Sequence, residues 1–175
     1  PPHSPLFLNR GNLGVFVLGP LGILALLTRP WIPFHGPAGA FCDVLAWVFF
    51  MGYLLFRVWA TLYLGGRKNT ALQTQGPYSM TRNPLYFGSL CFGVSTALFL
   101  HSLALLAGVL AVGVIYVQGV VPDEEKVLER VFGKKFRDYR DRTPVLLPAP
   151  VLFRSVSEVR VQTGPLFQEF KRLAG

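Results

Sequence analysis

The chain has 175 residues, of which 51% are hydrophobic and only 15% are charged. With a mean hydropathy of +0.43 it is too apolar for an ordinary soluble domain, so the composition predicts an integral membrane protein. The net charge of +8 does not indicate nucleic-acid binding, because apolar spans interrupt the basic residues and no nucleic-acid motif is present. Cys42 and Cys91 lie far apart in apolar runs, which argues against a disulfide framework or a metal site.

Four apolar segments are candidates for transmembrane helices: residues 13–28, 40–64, 86–100 and 103–121. Each is expected to be helical because lipid offers unpaired backbone groups no partner. The first and third are short for a bilayer core of about 30 Å. Only His101 and Ser102 separate the third segment from the fourth, which predicts a tight hairpin with His101 at its tip. The sequence thus predicts an all-α, polytopic membrane protein with about four spans, forming one domain over residues 1–175.

The distribution of positive charge predicts the orientation in the membrane. In a four-span chain, Arg10, Arg67, Lys68, Arg82 and the Lys and Arg residues after Val121 all lie on one side. Arg29 alone lies on the other side, so the positive-inside rule places both termini in the cytoplasm. The opening PPHSPLFLNRGN has no basic region typical of a signal peptide, and the first span is expected to be retained.

After Val121 the composition changes to the charged stretch DEEKVLERVFGKKFRDYRDR, in which apolar residues recur at roughly the helical period. This pattern predicts an amphipathic helix at the cytoplasmic interface, interrupted or bent near Gly133. The tail from Thr143 is expected to be extended and to end in a short surface helix that begins near Pro165.

Three features carry residues capable of chemistry: the stretch GPYSMTRNPLYFG at 76–88, the cluster Asp123–Glu124–Glu125, and Arg57. The stretch is compatible with a plain turn in which Pro84 starts the third helix. Asp123 fits an N-cap, and the two glutamates fit the positive end of the following helix. Arg57 would either extend to lipid phosphates or face a polar cavity, and the sequence leaves both open.

The predicted hairpin joins two of these features. It returns the start of the third span, near Tyr86, and the end of the fourth, near Val121, to the same membrane level. The loop and the acidic cluster would then form a pocket with two tyrosine rings, the Asn83 amide and charges of both signs. Such a pocket suits a zwitterionic aromatic cofactor, with Glu124 facing its cation and Arg82 facing its carboxylate.

From about Leu72 to Pro148 the sequence resembles the isoprenylcysteine carboxyl methyltransferase family and its relatives among membrane phospholipid methyltransferases. That family has GPY or GVY followed by Arg-His-Pro-x-Tyr-x-Gly, which here reads LQTQGPYSMTRNPLYFG. Downstream it has a Glu-Glu pair, a Phe-Gly-x-x-Tyr-x-x-Tyr block and an Arg-x-Pro ending. Here these are Glu124–Glu125, the block from Phe132 to Tyr139, and Arg142-Thr143-Pro144.

The resemblance implies S-adenosyl-L-methionine as the methyl donor, in a cytoplasmic pocket closed by the C-terminal part, and a lipophilic acceptor that enters from the membrane lipids. It implies no metal. The cofactor region would comprise residues 70–86 and 122–148, with Glu124 and Tyr86 as catalytic candidates. The cofactor contacts would be Thr70, Leu72, Gln73, Tyr78, Arg82, Asn83, Pro84, Tyr86 and Glu124.

Two positions depart from the family pattern. Asn83 replaces the usual histidine, and an amide cannot act as a titrating base near neutral pH. Val120 replaces the arginine that is thought to hold the substrate carboxylate in the prenylcysteine enzymes, which favours a different lipophilic acceptor. A hydroxyl or neutral amine acceptor would need a base, and Glu124 or Tyr86 would be the nearest.

Two other functions remain compatible with the sequence. A membrane sterol-type reductase shares a similar C-terminal arrangement but uses NADPH, whose phosphate would require more arginines around the loop than Arg82. A non-enzymatic membrane subunit would use the loop and the acidic helix only for packing.

Overall fold

The computed structural model describes residues 30–64 and 72–154, together with Gly19, Gly22 and Ile23. Apart from those three residues, the predicted first span lies outside the described residues, as do Thr70 and the predicted tail helix near Pro165. Within the described residues the regular structure is entirely helical. Its elements are α1 (Pro37–Leu64), α2 (Pro77–Met80), α3 (Pro84–Phe99), α4 (Leu103–Ile115), a π-helical turn (Tyr116–Val120), α5 (Val121–Phe132), α6 (Lys134–Arg140) and a 3₁₀ turn (Pro150–Leu152).

Two helices in this part of the chain are long and apolar enough to cross a membrane. They are α1, with a hydropathy of 1.8, and the continuous helix Leu103–Phe132, with a hydropathy of 2.2. Only 22% and 17% of their apolar stretches are buried inside the protein, which favours lipid-facing helices over the core of a soluble domain. At 1.5 Å per residue α3 is about 24 Å long, less than the bilayer core. The four-span topology therefore stays a prediction.

Helix α3 packs between α1 and α4, and small residues allow the close approach. A Cβ added at Gly93 would lie 2.7 Å from Val109 Cγ1 on α4, so that contact requires a glycine. On the other side, the buried Ser95 hydroxyl donates to the Ala46 carbonyl of α1 at 2.9 Å. Val94, Ala97, Leu105 and Val109 form the apolar core between α3 and α4. This packing fixes the positions of the ends of α3 and α4, where the site is formed.

His101 lies in the turn between α3 and α4 as predicted, but the segment before α1 covers it completely. Its side chain is 0% exposed and stacks on Phe34 with ring centroids 4.5 Å apart. Its Nδ1 lies 2.9 Å from the Ile32 carbonyl and its Nε2 lies 3.3 Å from Asp43 Oδ1. The Trp31 amide donates to the His101 carbonyl at 3.1 Å. The hairpin tip is thus a packed structural turn.

The helix that begins at Leu103 does not end at Val121 but continues to Phe132, so the fourth apolar segment and the first part of the predicted amphipathic stretch form one continuous helix. Pro122 lacks an amide hydrogen and would collide with the carbonyl of the preceding turn in a regular α-helix. The π turn Tyr116–Val120, in which the Val121 amide donates to the Tyr116 carbonyl, widens the helix at this point and accommodates the proline.

Because the helix is continuous, the prediction that Asp123 is an N-cap is wrong. The exposed carboxylate of Asp123 accepts instead from Lys126 at 2.8 Å, one turn further along. The predicted interruption is present at Gly133, whose φ of 53° ends α5 and allows α6 to begin in a new direction. The cytoplasmic location of these helices remains a prediction.

Candidate functional site

Between α1 and α3 the structure describes residues 72–83, here called the loop, which turn at Gly76. Gly76 has φ 62° and ψ −132°, a conformation available essentially only to glycine, and Pro77 then starts the short helix α2. A Cβ at Gly76 would also collide with the ring of Tyr63 at the end of α1. The Ser79 hydroxyl donates back to the Gly76 carbonyl at 2.7 Å. The loop therefore has one defined conformation, pressed against α1.

The segment after α6 runs along this loop and is hydrogen-bonded to it throughout. The Arg82 amide donates to the Pro144 carbonyl at 2.9 Å, and the Ala149 amide donates to the Met80 carbonyl at 2.9 Å. The buried Thr81 hydroxyl donates to the Leu146 carbonyl at 2.9 Å. The loop and the segment at 144–154 are consequently one structural unit.

Asn83 and Tyr78, both predicted cofactor contacts, take part in this unit. The Asn83 side-chain amide donates to the Val145 carbonyl at 2.9 Å. Tyr78 is buried, and its carbonyl accepts from the Tyr139 hydroxyl at 2.7 Å. Burial raises the pKa of Tyr78, an effect that the positive charge of Arg57 opposes, and burial likewise raises the pKa of Tyr139. Both phenols therefore stay neutral at physiological pH, and neither is a candidate base.

Arg82, predicted to face a cofactor carboxylate, faces a carboxylate of the protein. Its Nε lies 3.3 Å from Glu125 Oε1, and the two side chains are only 14% and 18% exposed. Neither of these two atoms has a partner with hydrogen-bond geometry, so the contact is a buried ion pair held by charge. Arg82 Nη1 also donates to the Arg140 carbonyl at 3.2 Å. Arg82 thus ties the loop to both α5 and α6.

Tyr86 and Glu124, the two catalytic candidates, are in direct contact. The Tyr86 hydroxyl donates to Glu124 Oε1 at 2.9 Å, across 38 positions of sequence. The prediction that the hairpin places the loop beside the acidic cluster is therefore confirmed. Both side chains are half-buried and lie where the apolar part of the Leu103–Phe132 helix gives way to its charged part.

Tyr116 completes this group, and sequence reasoning missed it. Its ring meets the Tyr86 ring edge-on, with centroids 5.6 Å apart and an interplanar angle of 64°. Tyr116 is the first residue of the π turn, which changes the direction in which the following side chains leave the helix. Pro122, inside an otherwise helical pattern, was the available sequence signal for such an irregularity. We refer to Tyr86, Tyr116 and Glu124 as the tyrosine–glutamate cluster.

Four other residues that the sequence singled out lie outside the tyrosine–glutamate cluster. Pro84 is buried and begins α3, and Leu72 and Gln73 are half-buried where the described chain resumes before the loop. Arg57 Nη1 donates to Ser89 Oγ of α3 at 3.3 Å. Arg57 therefore connects α1 to α3 one turn beyond Tyr86.

Residues 39–135 match the family model described as phospholipid methyltransferase. The chain is 39% identical over 108 residues to the nickel-cobalt-cadmium resistance protein NccN of Alcaligenes xylosoxydans xylosoxydans, covering 62% of this chain and 50% of that protein. It is 36% identical over 101 residues to the cobalt-zinc-cadmium resistance protein CzcN of Cupriavidus metallidurans, covering 58% and 46%. The chain thus spans about half the length of these curated relatives. No solved structure matches it.

The matched region contains nearly all of α1, the loop at Gly76, α3, the π turn and the tyrosine–glutamate cluster. It covers more than half of the chain and includes the elements that build the site. This chain belongs to the phospholipid methyltransferase family.

Proposed function

We propose that the protein is an integral membrane methyltransferase that moves a methyl group from S-adenosyl-L-methionine to a lipophilic, isoprenoid-like or lipid acceptor at the cytoplasmic face. The observation that carries the proposal is the Tyr86–Glu124 contact at 2.9 Å. It joins two separate blocks of the family signature at the end of two apolar helices, where a water-soluble donor and a membrane-embedded acceptor can meet.

The tyrosine–glutamate cluster has the chemistry that a sulfonium donor requires. A carboxylate attracts the positive sulfonium or ammonium of the cofactor, and the faces of Tyr86 and Tyr116 attract cations and stack on a purine. Because Tyr86 donates to Glu124, the carboxylate is held in position by the protein before any ligand arrives. In the proposed complex, Leu72, Gln73, Tyr78, Asn83 and Pro84 shape the cofactor pocket around this cluster.

The transfer itself needs alignment more than acid–base chemistry. An oxygen or nitrogen of the acceptor attacks the methyl carbon, the carbon–sulfur bond breaks, and S-adenosylhomocysteine leaves with the electron pair. Holding donor and acceptor in line supplies most of the rate enhancement. If the acceptor is a hydroxyl or a neutral amine, Glu124 or Tyr86 is the proposed base that takes its proton.

The family and the relatives restrict the acceptor to different degrees. The family name points to a phospholipid, whereas the printed names of the relatives concern resistance to metals. Among the described residues no group of three or more His, Cys, Asp or Glu side chains is placed to hold a metal ion. Our proposal for this chain follows the family match, and it is methyl transfer to a lipophilic acceptor.

Isothermal titration of the purified protein with S-adenosylhomocysteine tests the proposed donor site. Glu124→Gln removes the charge and Tyr86→Ala removes the ring, and each is expected to weaken binding about tenfold or more, which is ~1.4 kcal/mol. Asp123→Asn is the matched control, since it removes the adjacent carboxylate, which is exposed and faces Lys126. Wild-type affinity in both site variants would refute the proposal, and tight binding of NADPH in its place would support the reductase.

A further inference from the structure

A groove lies beside the loop, outside the tyrosine–glutamate cluster. It has a volume of about 400 Å³ and lies between the residues before Gly76, helix α6 and the segment at 144–154. This volume is within the range of small-molecule sites. None of the three residues of the tyrosine–glutamate cluster lines it, and neither does Arg82 or Asn83. Leu72 at its edge is the one residue that it shares with the proposed cofactor contacts.

The charged side chains around the groove are predominantly cationic. Lys135, Arg142 and Arg154 line it, with Asp138 as the only carboxylate among the lining residues. All three cations are exposed, and within residues 30–64 and 72–154 none forms an ion pair. Three like charges around one concavity repel one another, and an anion in the groove would relieve that repulsion.

Three other cations of the same region are paired. Arg137 and Arg140 both contact Glu129 at 3.2 Å, and Lys126 contacts Asp123 at 2.8 Å. The helices therefore have carboxylates available for their basic residues, but those carboxylates lie away from the groove. Arg130 and Lys134, outside the groove, are also exposed and form no ion pair within the described residues, so the groove differs from the rest of this surface in gathering three such cations around one concavity.

The backbone that carries the cations is held in place. The Gly76 amide donates to the Arg154 carbonyl at 2.7 Å, and the Arg154 amide donates to the buried Ser79 hydroxyl at 2.9 Å. Arg142 Nε donates to the Asp138 carbonyl at 2.7 Å, which orients its guanidinium. Tyr139 anchors α6 to the loop through the Tyr78 carbonyl. The backbone of the groove and the Arg142 guanidinium are therefore already in place before a ligand binds.

Polar groups complete the lining. Thr74, Gln75 and Thr143 offer hydroxyl and amide donors beside the guanidinium groups. Proteins commonly bind phosphate oxygens with this combination of donors: arginine guanidinium groups, a lysine ammonium group and hydroxyl groups. We infer that this groove binds a phosphate group, carried either by the head group of an anionic phospholipid or by a soluble phosphate ester.

The groove adjoins the loop that bears Tyr78 and leads to Tyr86. An occupied groove would hold Arg154 and α6 together and so stabilise the unit formed by the loop and the segment at 144–154. This inference concerns binding alone, so its failure would leave the proposed methyl transfer untouched, and the failure of the proposed methyl transfer would leave this inference untouched.

Thermal unfolding of the full chain in a neutral detergent, with and without added ligand, tests the inference. The probes are inorganic phosphate and dihexanoyl phosphatidylglycerol. Dihexanoyl phosphatidylcholine is the comparison of zero net charge, because its choline ammonium neutralises its phosphate. We expect phosphatidylglycerol to raise the melting temperature of the wild type more than phosphatidylcholine does. If inorganic phosphate also raises the melting temperature, the groove is a general phosphate site. If phosphatidylglycerol alone raises it, the groove is a lipid head-group site. Either result supports the inference.

The variants separate binding from the general effect of salt. Lys135→Gln/Arg142→Gln removes two groove cations, and we expect the affinity for the stabilising ligand to fall about tenfold. Arg130→Gln/Lys134→Gln removes the same charge from exposed positions outside the groove and should keep wild-type affinity. Arg154→Gln is an independent probe, because only the backbone of Arg154 is hydrogen-bonded to the loop. Equal stabilisation of the wild type and the groove variants, or no stabilisation of the wild type by either anionic probe, would overturn the inference.

Discussion

Replacing Glu125 by alanine is expected to lower the free energy of unfolding by about 3 kcal/mol, because it leaves the buried charge of Arg82 without its partner. For a chain of this size that loss corresponds to a fall of roughly 6–12 °C in melting temperature. The effect is large because water reaches neither Arg82 Nε nor Glu125 Oε1. Thermal unfolding in detergent, followed by tryptophan fluorescence, measures it.

Two further variants show whether the cost comes from the unpaired charge. Lys126→Ala breaks the exposed ion pair with Asp123. Because water screens these two charges, this variant should lower the free energy of unfolding by about 0.5 kcal/mol or less. The double variant Arg82→Met/Glu125→Leu removes both charges and should recover at least half of the stability lost in Glu125→Ala. A double variant that is less stable than Glu125→Ala would contradict the buried-charge explanation.

Replacing Gly76 by alanine is expected to cost about 4 kcal/mol, since two unfavourable effects act at one position. The backbone at φ 62° and ψ −132° is strained for any residue with a Cβ, and the new methyl group would collide with the Tyr63 ring. Both effects destabilise the turn that positions α2 and the start of α3. Chemical unfolding of the variant and of the wild type gives the difference.

Gly133 provides a matched control for the backbone contribution. It has nearly the same conformation, φ 53° and ψ −125°, but a Cβ there would meet nothing within 4 Å. Gly133→Ala should therefore cost only the strain, about 2 kcal/mol. In a Tyr63→Ala background the cost of Gly76→Ala should fall to that value. Equal losses in Gly76→Ala and Gly133→Ala in the wild-type background would show that the ring contact contributes nothing.

These stability variants also distinguish an enzyme from a packing subunit. Glu125 and Gly76 hold the loop in place, whereas Glu124 and Tyr86 form the proposed donor site beside it. If the loop served only for packing, Glu124→Gln would change stability without changing the affinity for any ligand. If it forms a donor site, Glu124→Gln changes affinity while Glu125→Ala changes chiefly stability.

The sequence predicted those parts of the structure that depend on local pattern and chain length. The hairpin followed from having only His101 and Ser102 between two apolar segments, and it correctly placed Tyr86 beside Glu124. The break at Gly133 followed from a glycine inside an amphipathic pattern. Such features are set by a few neighbouring residues, which is why they can be read without knowledge of the tertiary structure.

The parts that sequence reasoning missed depend on contacts between distant segments. The sequence pattern makes Asp123 a candidate N-cap of a new helix, but the π turn before Pro122 lets the preceding helix continue through this position. Arg82 was assigned to a ligand carboxylate because no pattern indicated that Glu125 lies 3.3 Å away. The role of the segment at 144–154 depends on backbone carbonyls that accept from Thr81 and Asn83, and a sequence does not show which carbonyls face a loop.

The most direct test of the account is methyl transfer by the purified chain. The protein would be reconstituted in vesicles of phosphatidylethanolamine and phosphatidylglycerol that also contain total lipid extract of the expression host. It would then be supplied with S-adenosylmethionine carrying a tritiated methyl group. We predict that label enters the organic extract with the wild type and with Asp123→Asn, and that it falls about tenfold or more with Glu124→Gln. Equal incorporation by the wild type and Glu124→Gln, or no label in the lipid phase from a chain that binds S-adenosylhomocysteine, would contradict it.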